Sequence, residues 1–68
     1  MIGITLNEQH CDCAENLTLE QLLMDRHLKT ANILIELNGE ILDRSADLSK
    51  MILHDGDSIQ IFRITAGG

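Results

Sequence analysis

Apolar and polar residues alternate at the start of the chain. Ile2, Ile4 and Leu6 fall on one side, Gly3 and Thr5 on the other, which is the period of a strand with one buried face. Asn7-Glu8 follows as a turn, and Gln9 to Cys13 reads as the return strand of a hairpin. The period then changes. Leu19, Leu22 and Leu23 recur at helical spacing. Thr18-Leu19-Glu20-Gln21 has the form of a capping box, in which Thr18 accepts from the first turn and Gln21 reaches back to it. The spacing predicts a helix from Leu19 to about Leu28, with Glu20 near its start and Arg26, His27 and Lys29 near its end, as the helix dipole favours. So short a helix is marginal alone, and its leucine face needs a sheet to pack on.

Strand patterns return in the second half. Ile33 to Leu37 is apolar apart from Glu36, and Asn38-Gly39 comes next. Asn-Gly after an apolar run is the strongest short hairpin signal, because both residues tolerate positive φ. Ile41-Leu42 reads as a short return strand. Leu48, Met51, Ile52 and Leu53 form an irregular or one-turn helical segment that closes the core. Asp55-Gly56-Asp57 turns the chain into a last strand, where Ile59 and Ile61 alternate with polar residues. One amphipathic helix on one face of a mixed sheet is an α+β two-layer domain. A right-handed connection sets the last strand parallel beside the first, which predicts a β-grasp arrangement for residues 1–64. Residues 65–68 are expected to form a flexible tail.

Charge narrows the partners. Eleven Asp and Glu against five Lys and Arg give a formal net charge of −6. Nucleic acid and anionic lipid are attracted by Lys and Arg clusters, and no basic stripe occurs here. A basic face on a protein partner fits better. No apolar run is long enough to span a bilayer. The N-terminus lacks the positive region of a signal peptide. The expected location is therefore the cytoplasm, with the cysteines reduced.

Candidate chemistry is sparse. His10-Cys11-Asp12-Cys13 is the densest cluster, and strand alternation points Cys11 and Cys13 the same way. A structural zinc site wants four ligands, and His27 and His54 stand apart at a helix end and before a turn. A bridge between Cys11 and Cys13 would be strained. No phosphate-binding loop and no nucleophile–base spacing is present. Neither a metal, a bound cofactor nor an active site of the chain's own is expected.

The last strand and the terminus say more. With Ile59 and Ile61 inward, Ser58, Gln60, Phe62 and Ile64 fall on the open face. By the same rule Leu34 and Glu36 point outward from their strand. Phe62 is the one aromatic residue of the chain. Scattered surface apolars are ordinary, but Leu34, Phe62 and Ile64 are candidates for one contiguous patch, and such patches mark partner sites. The patch leads to Ala66-Gly67-Gly68. Chain ends are most often merely frayed. Two glycines without Cβ atoms are also suited to thread a bare carboxylate into a narrow slot on another protein.

Taken together, the Asn38-Gly39 hairpin, Arg44 after it, the Asp55-Gly56-Asp57 turn, the strand Ile59-Gln60-Ile61-Phe62 and the terminal Ala66-Gly67-Gly68 resemble the ThiS family of small sulfur carriers of thiamin biosynthesis. The resemblance spans the whole chain. It implies a ubiquitin-like β-grasp fold and a monomer when alone. It also implies that an E1-like, ThiF-like adenylyltransferase activates the Gly68 carboxylate with ATP. Sulfur then replaces AMP to give a thiocarboxylate, which a ThiG-like thiazole synthase consumes. Ala66 and Gly67 would thread the tail, and ATP and sulfur would be supplied through the partner enzymes. Three other readings stand beside this one. They are a carrier for molybdopterin or another metabolite, a ubiquitin-like modifier joined to lysines through Gly68, and a small metal or redox protein built on His10, Cys11 and Cys13.

Overall fold

A computed structural model describes residues 1–28, 32–43 and 45–64. The first hairpin is β1 (Ile2–Leu6) and β2 (Gln9–Cys13), paired antiparallel with Ile4 opposite Cys11. Its two-residue loop puts Asn7 at φ 49° and Glu8 at φ 69°, the left-handed pair that matches strand twist. After it come α1 (Leu19–Asp25), β3 (Ile33–Leu37), β4 (Glu40–Ile41), a 3-10 turn (Leu48–Lys50) and β5 (Ser58–Arg63). The sheet has five strands in the order β2-β1-β5-β3-β4. Strand β5 runs parallel to β1 and antiparallel to β3, so the last strand is the central one. A mixed sheet with one helix on one face is the expected β-grasp arrangement.

The core lies between that helix and the sheet. Ile4, Leu19, Leu23 and Ile59 are almost completely buried, and Leu6, Cys13, Leu22, Ile35 and Leu53 join them. Burying such a side chain contributes about 1.5–3 kcal/mol, which is what holds a seven-residue helix in place. Leu53 N–H donates to the Leu17 carbonyl and Leu19 N–H to the Met51 carbonyl, each at 2.8 Å, stitching the segment after the 3-10 turn to the start of α1.

Three details depart from the sequence reading. The helix ends at Asp25 rather than near Leu28. His27 adopts φ 57°, its N–H donates to the Met24 carbonyl at 3.0 Å, and Leu28 N–H donates to the Leu23 carbonyl at 2.8 Å. That is a Schellman stop, made by a histidine where glycine is usual. Thr18 Oγ1 accepts the Gln21 N–H at 3.1 Å, as a cap should. The Gln21 side chain, however, runs along the helix to Asp25 Oδ1 at 2.9 Å, so the reciprocal half of the box is absent. The short strand β4 is Glu40–Ile41, one residue earlier than expected. The two-residue turn sets that register by pairing Leu37 with Glu40.

Candidate functional site

The open face of the sheet, opposite α1, is built by register. Leu34 is paired with Phe62, and Glu36 with Gln60 on one side and Ile41 on the other. Directly paired residues stand on the same face. One row therefore reads Ile41, Glu36, Gln60, and the next Leu34, Phe62. Phe62 is 46% exposed and Ile41 59%, while Leu34 and Glu36 are half-buried. Ile41 was not singled out in the sequence as a surface residue. The signal was nevertheless there, because a two-residue Asn-Gly loop fixes which residue of the return strand faces Glu36.

Two turns hold β5 at its start. Asn38 at φ 52° and Gly39 at φ 88° form the second left-handed loop. Asn38 N–H donates to the Ser58 carbonyl at 2.8 Å. Its side-chain oxygen accepts the Ser58 N–H at 2.8 Å, and its Nδ2 donates to Asp57 Oδ1 at 3.0 Å. Asp57 Oδ2 accepts the His54 N–H at 2.8 Å. Asp55 Oδ1 accepts the Gly3 N–H and the Gly3 carbonyl accepts the Gly56 N–H, both at 2.7 Å. The Asp55-Gly56-Asp57 turn thus clamps β5 to both neighbours, with Gly56 at φ 89°, a region that favours glycine.

Further along, Asn7 Oδ1 accepts the Ile61 N–H at 2.8 Å, continuing the ladder beyond the end of β1. Ile64 N–H donates to the Asn32 carbonyl at 2.7 Å. Ile64 is half-buried one residue past β5, beyond the last ladder pair, Ile33 with Arg63. The register brings Leu34 and Phe62 side by side, and Ile64 follows two residues after Phe62. Ala66, Gly67, Gly68 and Arg44 lie outside the described residues. Beside Arg44, the Ser45 N–H and hydroxyl both donate to Asp43 Oδ1 at 2.8 Å. They hold the Asp43 carboxyl below the usual carboxylate value.

Alternation splits the His10-Cys11-Asp12-Cys13 cluster. His10 Nε2 meets Asp12 Oδ1 at 3.0 Å on the open face. Cys11 and Cys13, paired with Ile4 and Ile2, turn to the helix side, with Cys13 buried. Both thiols are free. Arg26 Nη2 donates to Cys11 Sγ at 3.1 Å, a contact between layers that the sequence reading did not foresee. Burial first, then the neighbouring Cys11, pushes the Cys13 thiol up, against the pull of Arg26. Among the described residues, no three His, Cys, Asp or Glu are placed to share a metal ion. No helix among them is long and apolar enough to cross a membrane.

Fold and open face together define a ubiquitin-like β-grasp protein whose central last strand carries an exposed aromatic. The family model of the ThiS family matches residues 4–68, and the chain belongs to that family. It is 32% identical over 65 residues to the sulfur carrier protein ThiS of Escherichia coli (strain K12), covering 96% of this chain and 97% of that one. A crystal structure of a thiamine biosynthesis protein (ThiS) from Geobacter metallireducens superposes with a TM-score of 0.81 at 30% identity, covering 98% of this chain and all (100%) of the other. An NMR solution structure of a thiamine biosynthesis protein from the same organism gives 0.72 at 31% identity, covering 98% and 88%.

Proposed function

We propose that this chain carries sulfur for thiazole formation in thiamine biosynthesis, on the carboxylate of Gly68. The observation that carries the reading is the match to the ThiS family, which runs through Gly67 and Gly68 themselves. A carboxylate is a poor electrophile. An E1-like adenylyltransferase joins it to the AMP part of ATP, releasing pyrophosphate and leaving a reactive mixed anhydride. The outer sulfur of a persulfide on the donor displaces AMP and forms an acyl disulfide. A thiol reductant then breaks its S–S bond, taking the donor sulfur into a new disulfide and leaving a thiocarboxylate. A thiazole synthase then takes up that sulfur, and the carboxylate returns. The chain supplies no catalytic group. Ala66 and Gly67 let the end enter an enclosed site where water is excluded, and Leu34, Phe62 and Ile64 form the surface on which the adenylyltransferase docks. ATP and sulfur come from the partners. The work is done by a monomer in the cytoplasm, without nucleic acid or membrane.

Intact mass after incubation with an E1-like adenylyltransferase, ATP and a sulfur donor tests this. The expected product has one sulfur in place of one oxygen. Removing Gly68, or changing Gly67→Val, leaves the fold intact and abolishes the product. Isopeptide adducts on lysines would instead identify a protein modifier. Unchanged adenylation of the shortened chain would refute the assignment to Gly68.

A further inference from the structure

Resting on that reading of the open face, we infer that Glu36 is its charged centre, met in the complex by an arginine or lysine that the partner sets among apolar side chains. Glu36 stands between Ile41 and Gln60 in one row and beside the Leu34–Phe62 row. It is half-buried before any partner arrives. A protein that covers Phe62 and Leu34 also covers this carboxylate, and an ionised carboxylate taken out of water without a partner is strongly unfavourable.

The described part of the chain offers it no cation. Arg26 is engaged with Cys11 on the helix side. Arg63 is paired with Ile33, one register position from Leu34, and so belongs to the helix side as well. Lys50 sits in the 3-10 turn that packs against α1. The ion pairs among the described residues involve Glu15, Asp12 and Asp57 and leave Glu36 aside. With no cation set against it among the described residues, Glu36 is matched by a charge on the partner. An apolar row with one carboxylate beside it also sets orientation, because a cation fixed in the partner's pocket fits in only one position.

Net charge alone would attract a basic partner, so the test needs an internal control. Glu40 is exposed and paired with Leu37, which places it off the open face. Glu40→Gln removes the same charge as Glu36→Gln. Binding of the E1-like adenylyltransferase to the wild-type chain, to these two variants and to Phe62→Ala is measured by titration at low and high salt. Glu36→Gln is expected to weaken binding about 30-fold, the loss typical of a desolvated charge pair, and Glu40→Gln less than about 3-fold, as for rim charges. Glu36→Gln is also expected to keep most of the salt dependence of the wild type, and its loss of affinity to persist at high salt, because a pair buried in the interface is screened much less than exposed charges. Equal losses for Glu36→Gln and Glu40→Gln would overturn the inference. So would wild-type affinity of Glu36→Gln alongside weakened Phe62→Ala, an outcome that leaves the docking face standing. Full binding by Phe62→Ala as well, or none by the wild type, would overturn both the face and the inference drawn from it.

Discussion

Leu34 and Phe62 are direct partners in the β3–β5 ladder, and they stand side by side on the face of the sheet that the helix leaves open. Phe62 is 46% exposed, so its ring contributes little to the core. Phe62→Ala is expected to cost less than about 1 kcal/mol of stability, as surface changes do. It should weaken binding to the adenylyltransferase by about 2 kcal/mol, in the range of an aromatic hot spot. A urea melt and a binding titration on the one variant measure both quantities. A stability loss of about 3–5 kcal/mol, typical of a core phenylalanine, would contradict this placement.

His27 ends the helix in a left-handed conformation, φ 57°, that costs a residue with a Cβ about 1–2 kcal/mol. Glycine adopts it freely but adds entropy to the unfolded chain. His27→Gly is therefore expected to raise stability by about 0.5–1 kcal/mol, seen as a higher urea midpoint at unchanged slope. A lower midpoint would mean that the imidazole contributes more than the strain it carries.

Asn38 combines a left-handed turn with two side-chain hydrogen bonds, to Ser58 and Asp57. Asn38→Ala strands the Ser58 N–H and strains the turn, for a loss of about 2–3 kcal/mol. Asn38→Gly relieves the turn and loses the bonds alone, about 1–2 kcal/mol. Both variants lose the same bonds, so if chemical denaturation ranked them the other way, the strain of the left-handed turn would have been misjudged.

The cysteines should differ in reactivity and be dispensable for sulfur loading. Cys11 is half-exposed and Cys13 buried, so iodoacetamide is expected to label Cys11 in the native protein and Cys13 only on unfolding. Burial raises the Cys13 thiol above its ordinary value of 9.0. The folded chain thus holds this proton to higher pH than the unfolded chain. The stability linked to it is whole below the ordinary value and is lost as pH rises through the raised one. Urea melts from about pH 8 to pH 11 should show this alkaline decline in the wild type and a shallower one in Cys13→Ala. The double variant Cys11→Ser with Cys13→Ser should still form the Gly68 thiocarboxylate by intact mass. A folded double variant that fails to do so would give these thiols a part in the transfer.

Much of this molecule is legible in its residues because the signals are local. Asn38-Gly39 specifies a hairpin by its own backbone preferences, and the alternation of Ile59 and Ile61 places Phe62 outward. What escaped the sequence depends on contacts between distant parts. His27 stops the helix without glycine because Leu28 N–H finds the Leu23 carbonyl, and no residue type announces that. Gln21 prefers Asp25 to its own cap. Arg26 reaches Cys11, fifteen residues earlier in the chain, only because helix and edge strand pack together. Ile41 joins the open face through a register that becomes visible once the loop length is taken literally.

The central position of β5 has a mechanical consequence. It lies parallel to β1 and between two hydrogen-bonded neighbours, with Ile59 fully enclosed. A pull on the chain beyond Ile64, resisted at the start of β1, loads the β1–β5 ladder lengthwise. Its bonds must then yield together and cannot open one after another. An enzyme that draws the tail into its interior therefore tugs on the best-anchored strand of the domain, and the rest of the molecule behaves as a rigid handle.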